Sequence, residues 1–252
     1  MYLNGMEIEN GILVSHEEEI SGGILVVPEQ VKAIADEVFQ SRLGLRRVVL
    51  PQGLTCIGSL VFEYCEDLES VVLPESLMEL GDYAFSHCCR LKEIQLPQSL
   101  MTIGPGAFSD CESLTSLKLP PNLVSLEQWV VSSSGLTTLE IPDRVCFIGE
   151  QACDNCHNLT TVTFPESLRA IGDEAFEDCE KLREIRIPEG VKTIGERAFA
   201  HCTGMKAAYL PESLMVLGED AFWDCGDLII YAPRGSYAEM AARAQEYNVV
   251  AI

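Results

Sequence analysis

The chain has 252 residues, 47% of them hydrophobic, and 39 acidic against 17 basic side chains leave a net charge of −22. That balance excludes nonspecific binding to nucleic acid or to an anionic membrane surface, both of which need a cationic face. No run approaches 18 consecutive apolar residues, so no membrane-spanning helix is predicted.

In chain order, Met6 to Val14 reads as a hairpin around Asn10-Gly11, and residues 1–27 are expected to form an N-terminal cap. Met1 to Gly11 has neither the basic nor the apolar stretch of a secretory leader, so the sequence as it stands predicts no export. From Pro28 a 23-residue phrase then recurs nine times, at Pro28, Pro51, Pro74, Pro97, Pro120, Pro142, Pro165, Pro188 and Pro211. A period in this range builds a stacked solenoid, because one turn cannot bury its apolar face until a neighbour covers it.

Counted from the proline as zero, apolar residues fall at offsets 3, 6, 10, 11, 14, 17, 20 and 22. No single helical or strand period fits that series. A coil that turns corners does, with one short strand near offsets 19–22 and a second extended piece near offsets 2–6. The proline lacks an N–H and ends a strand where the chain turns. Gly58, Gly81, Gly104, Gly149, Gly172, Gly195 and Gly218 share offset 7, where a positive φ is expected. The phenylalanines at offset 11, Phe62, Phe85, Phe108, Phe176, Phe199 and Phe222, should point inward. Residues 28–232 are thus nine repeats, and residues 233–252 a helical cap. In that cap Ser236 and Glu239 make a capping-box pattern, and Tyr237, Met240, Ala241, Ala244 and Tyr247 mark an apolar face. Trp223 is expected to cover the last turn.

The clearest phrase, Pro165-Glu166-Ser167-Leu168 with Ile171-Gly172, Ala175-Phe176, Cys179, Leu182, Ile185 and Ile187, resembles the BspA-like leucine-rich repeat family. The resemblance spans about Pro28 to Pro233. It implies a right-handed leucine-rich solenoid of short parallel strands with few helices, in one continuous domain. It also implies an interaction or adhesion module, commonly at a bacterial surface or secreted, with no catalytic residues to carry over.

Of eleven cysteines, Cys65, Cys88, Cys111, Cys156, Cys179, Cys202 and Cys225 all fall at offset 14, one per turn. Stacked at strand spacing with parallel side chains they are poorly posed for disulfides. Reduced, buried thiols are expected, and with them a reducing compartment or an anaerobic habitat. Cys153-Asp154-Asn155-Cys156-His157 matches the c-type haem attachment pattern, but both thiols should point into the core. His87 and His201 share offset 13 without converging on any other catalytic group, and no catalytic or metal-binding motif is present. No cofactor and no metal is predicted.

The acidic residues crowd offset 1 (Glu29, Glu75, Asp143, Glu166, Glu189, Glu212) and offsets 8 and 9, as a solvated outer face that keeps the chain monomeric. The outward offsets of the main strand, 18, 19 and 21, run the other way. They hold seven bases, Arg46, Arg47, Lys92, Lys118, Arg183, Arg186 and Lys206, against Glu69, Glu93, Glu140 and Glu184. Offset 21 is varied: Val72, Gln95, Lys118, Glu140, Thr163, Arg186 and Tyr209 form the predicted contact line. The fifth unit has only 22 residues, with Glu127 in place of glycine and Ser132-Ser133-Ser134 at the usual corner, so Trp129 beside it is a candidate anchor pushed outward. The expected function is a non-catalytic scaffold that binds a protein through its strand face. Two alternatives are an adhesin for host matrix or glycan, and a redox or haem role at Cys153, Cys156 and His157.

Overall fold

A computed structural model describes residues 2–3, 5–18 and 20–252. The chain divides into two compact units, Met1–Leu123 and Val124–Ile252. The first contains β1 (Tyr2–Leu3), β2 (Met6–Glu9), β3 (Ile12–His16), β4 (Ile24–Val26), β5 (Ala33–Ile34), β6 (Arg47–Val49), β7 (Cys56–Ile57), β8 (Ser70–Val72), β9 (Glu79–Leu80) and β10 (Thr102–Ile103). The second contains β11 (Ser125–Leu126), β12 (Thr138–Glu140), β13 (Phe147–Ile148), β14 (Thr161–Thr163), β15 (Ala170–Ile171), β16 (Glu184–Arg186), β17 (Thr193–Ile194), β18 (Ala207–Tyr209), β19 (Val216–Leu217), β20 (Ile229–Ala232), α1 (Tyr237–Ala244) and β21 (Val249–Ala251). Each is a coil of short parallel strands, and α1 is the one α-helix among the described residues.

Three sides of each turn follow from the phrase. The proline carbonyl accepts the N–H of offset 3 in all nine units, at 3.0–3.4 Å, which closes the first corner. The strand at offsets 5–6 comes next and pairs in parallel one period on, as in Ala33↔Cys56↔Glu79 and Ala170↔Thr193↔Val216. The third side, offsets 9–13, is held by backbone bonds to the following turn, such as Phe39 N–H to Val61 O at 3.1 Å and Phe176 N–H to Ala198 O at 2.8 Å. Its rings stack inside. Phe39, Phe62, Phe85 and Phe108 follow one another at 5.2–5.7 Å in the first unit, and Phe176, Phe199 and Phe222 at 5.3–5.4 Å in the second. Each buried ring contributes on the order of 2–3 kcal/mol.

The expected positive φ at offset 7 is not there. The left-handed residues are instead at offsets 9 and 13 of every unit, with φ between 52° and 64°, and all but Gly106 carry side chains. The offset-7 glycines serve close approach. A Cβ on Gly81 would lie 2.5 Å from the carbonyl carbon of Gly58, and one on Gly172 would lie 2.7 Å from that of Gly149. Successive turns therefore touch backbone to backbone along this line, and glycine is needed for its missing Cβ rather than for its φ.

The N-terminal hairpin is as expected, with Asn10 (φ 51°) and Gly11 (φ 83°) in its turn joining β2 to β3. Residues before Pro28 also supply rungs: β3 pairs with β5, β4 pairs with β6, and the His16 ring occupies the slot below Phe39 at 5.4 Å. At the other end Ser236 Oγ accepts the Glu239 N–H at 3.1 Å as predicted, whereas the Glu239 carboxylate reaches past Ser236 and accepts the Gly235 N–H at 2.8 Å. The buried helix face is different from the expected one. Ala238 and Ala242 face inward, whereas Tyr237 and Met240 are exposed, because only small side chains let the helix lie close on the coil. Trp223 does not cover the last turn, being half exposed. Tyr247 does so, its ring centre 5.9 Å from that of Phe222 and perpendicular to it, and its hydroxyl accepting the Phe222 N–H.

Candidate binding faces

The main strand, offsets 19–21, carries the predicted contact line. Offsets 18 and 19 are both exposed, as at Arg46 and Arg47, Lys92 and Glu93, and Arg183 and Glu184, so the chain bends before the strand begins. Val72 ends β8 in a row with Val26 and Val49, while Gln95 and Lys118 are exposed on turns outside the strand ladders. In the second unit Glu140 and Thr163 are register partners, as are Arg186 and Tyr209, and Tyr209 and Tyr231. The Arg186 guanidinium lies 3.8 Å over the Tyr209 ring and 2.7 Å from Glu184, and Tyr209 stacks on Tyr231 at 4.7 Å.

This face is not one continuous sheet. In the first unit the ladder covers β4, β6 and β8 only, and in the second β12 with β14 is separate from β16, β18, β20 and β21. The break between β14 and β16 falls where Phe164 replaces the Leu or Ile of other turns at offset 22. A depression of about 460 Å³ opens there, lined by Thr160, Thr161, Thr163, Arg183, Glu184 and Arg186. Val26 was missed because it precedes the first proline, and Tyr231 because the contact line stops at the eighth turn, although spacings of 23 from Val49 and 22 from Tyr209 would have found them.

Trp129 is not part of this line. It sits half-buried at an ordinary offset-9 corner (φ 56°), where its Nε1–H donates to Gln151 Oε1 at 2.6 Å, and Gln151 in turn donates to Glu174 at 2.5 Å. The corner is intact. The missing residue lies further on, where Ser134-Gly135-Leu136 replaces Cys-x-x-Leu, and both β11–β13 and β12–β14 pair across it. The indole therefore has no reason to be expelled.

The offset-14 thiols are buried, and each donates to an offset-11 carbonyl of the preceding turn, among them Cys88 to Phe62 (3.2 Å), Cys179 to Cys153 (3.3 Å) and Cys225 to Phe199 (3.1 Å). Burial pushes Cys65 up to about 12 and Cys156 up to about 11, and raises Cys88, Cys153, Cys179 and Cys202 strongly. Cys153 and Cys156 are both fully enclosed, so neither thiol can reach a haem vinyl group, while His157 points out toward the Asp178 carbonyl and Glu180. Among the described residues no group of three or more His, Cys, Asp or Glu is placed to hold a metal, and no helix is long and apolar enough to cross a membrane.

A second outward surface lies on the strands at offsets 5–6, which pair without interruption through β3, β5, β7, β9 and β10 in one unit and β11, β13, β15, β17 and β19 in the other. Its outward offsets, 4 and 5, include the exposed Met78 and Met101 of the first unit and Val124, Phe147, Met215 and Val216 of the second. Sequence reasoning placed an extended piece at offsets 2–6 but read no outward face from it, since two-residue strands leave too little alternation to read.

The sequence matches the BspA type leucine rich repeat region in six copies over residues 32–156 and 131–233. Among curated proteins, none matches the chain. Three solved structures share the fold. A Treponema pallidum leucine rich repeat protein is 25% identical, covering 95% of this chain and 89% of its own, with a TM-score of 0.53. A leucine rich cell surface protein of Faecalibacterium prausnitzii is 21% identical over 92% of each chain, with a TM-score of 0.50. A leucine-rich repeat protein from Eubacterium ventriosum is 19% identical, covering 90% of this chain and 75% of its own, with a TM-score of 0.51.

Proposed function

Because the chain belongs to the BspA-type leucine-rich repeat family, we propose that it is a non-catalytic scaffold whose main strand face binds a protein partner. The observation that carries this reading is the segregation of charge. In the first unit the outward strand offsets hold Arg46, Arg47, Lys92 and Lys118 against Glu69 and Glu93, and in the second Arg183, Arg186 and Lys206 against Glu140 and Glu184. Across both, seven bases against four acids give +3, while the remaining 10 bases and 35 acids give −25. Among the described residues Arg46, Arg47, Lys92, Lys118 and Arg183 form no ion pair, although carboxylates abound in the chain. Bases kept clear of available acids suit an external, acidic counterpart and steer its approach. The line Val72, Gln95, Lys118, Glu140, Thr163, Arg186 and Tyr209 supplies the varied contacts, Trp129 is left out of it, and the chain acts as a monomer.

The test is a triple variant, Glu140→Ala, Arg186→Glu and Tyr209→Ala, immobilised beside the wild type and exposed to the proteins of the source cell and its surroundings. Proteins held by the wild type should be lost by the variant while the thermal midpoint falls by no more than about 4 °C, since loss of the half-exposed Arg186–Tyr209–Tyr231 stack costs about 1 kcal/mol. Retention of the same proteins by the triple variant would remove the strand face from the reading.

A further inference from the structure

The uninterrupted sheet of the second unit carries a surface of a different make. Val124 is 50% exposed, Phe147 43%, Met215 64% and Val216 47%, so apolar side chains lie open at both ends of the strip that β11, β13, β15, β17 and β19 form. Arg169 and Lys192 lie between them. Packing does not require this exposure, since the inward partners Leu126, Ile148, Ile171, Ile194 and Leu217 already fill the interior. Neither base forms an ion pair among the described residues, and the Arg169 guanidinium reaches only the carbonyls of Glu166 and Leu168. No acid occupies the two outward columns of these five strands, whereas Glu166 and Glu189 flank them at offset 1, and Asp173 and Glu196 at offset 8.

We propose that this strip is a docking site for an extended peptide segment of a partner protein, of the pattern apolar–x–acid–x–acid–x–apolar. Adjacent strands are about 4.8 Å apart, so Val124 to Met215 spans four steps, roughly 19 Å. An extended chain rises about 3.3 Å per residue and covers that distance in six steps, so that seven residues span it with the four alternate side chains facing the strip. The outer two meet Val124 with Phe147 and Met215 with Val216. The inner two bring carboxylates to Arg169 and Lys192. The acidic columns on either side repel a broad polyanion, so the carboxylates must lie on one line and the intervening residues must be neutral or basic. A second copy of the chain fits poorly, because a two-fold axis through the strip would set Arg169 and Lys192 against their own counterparts.

The experiment is selection of a phage-displayed random linear peptide library on the immobilised full chain, followed by synthesis of the enriched sequence as a labelled peptide. The expected result is enrichment of the stated pattern. The synthetic peptide should bind the wild type and Arg186→Glu alike, and bind both Arg169→Glu/Lys192→Glu and Phe147→Ser/Met215→Ser at least tenfold more weakly. Light scattering should show the same mass for wild type and Phe147→Ser. The proposal is overturned by absence of a consensus, by equal binding to the strip variants, by loss on Arg186→Glu instead, or by a wild-type dimer that Phe147→Ser dissociates.

Discussion

At offset 14 a cysteine does what an apolar residue of its size could not. Its S–H satisfies a buried carbonyl of the preceding turn, and without that donor the carbonyl would carry an uncompensated desolvation penalty. Two units lack the cysteine: in the first Arg42 takes the position and its guanidinium donates to the His16 carbonyl, also 26 residues back, and in the fifth Ser134 fills the slot, is buried, and lies 3.4 Å from Cys156 Sγ. Cys179→Ala, which strands the Cys153 carbonyl and leaves a small void, should cost about 2–3 kcal/mol. Cys179→Ser keeps a donor in place and should recover at least half of that loss, read from urea midpoints. Equal losses for the two variants would show that volume, not the hydrogen bond, selects cysteine here. The burial of this column was legible in the sequence because its register was strict. The bond was not, because the acceptor lies 26 residues away and only the coil's geometry joins the two.

Among the elements, the corners separate what a repeat phrase reveals from what it hides. The glycine at offset 7 was the conspicuous signal, and its conformational freedom was the natural explanation. The contacts give another: turns approach so closely there that a Cβ has no room. The residues that do adopt left-handed backbone vary in type, but Asp110, Asn155, Asp178 and Asp224 at offset 13 are of the kind that tolerates it. Two substitutions therefore invert the sequence-based expectation. Gly172→Ala should cost about 3 kcal/mol, at the upper part of the range for overpacking, since the neighbour is backbone and cannot rotate away. Asp220→Gly, at φ 55°, should change stability by less than about 1 kcal/mol, the relief of left-handed strain offsetting the added chain entropy. A harmless Gly172→Ala beside a costly Asp220→Gly, in paired thermal melts, would restore the positive-φ explanation. The same reasoning covers the candidate faces. Outward side chains of the main strand were readable column by column, whereas the break after β14 and the exposed columns beside the shorter strands depend on inter-turn pairing that no single phrase contains.

For the molecule as a whole, stability is the sum of many similar contacts between adjacent turns, so a property repeated in most turns acts in concert. The period revealed that architecture, but not the rungs before Pro28 and after Pro233, which keep the pairing without the phrase. The buried thiols are the shared property with a measurable consequence. Burial holds Cys65 at about 12 and Cys156 at about 11, and raises Cys88, Cys111, Cys153, Cys179 and Cys202, against about 8.5 for an unfolded cysteine. Above that pH the unfolded chain sheds protons that the folded chain keeps, so the unfolded state gains. The contribution is full below about pH 8.5 and drains as the pH rises through the folded values, by about 1.4 kcal/mol per unit for each thiol. With several thiols acting together, total stability of ordinary size, about 5–15 kcal/mol, should be exhausted within two pH units above 9. Tyr83 and Tyr247, also raised by burial, add to the fall only above about pH 10. Urea midpoints measured from pH 7 to 11 under reducing conditions should stay level to about 8 and then drop steeply. The slope should flatten when Cys88, Cys179 and Cys202 are replaced by serine, which does not titrate in this range. A midpoint unmoved at pH 11, or a serine variant that falls as steeply as the wild type, would mean that the ladder thiols do not govern alkaline stability.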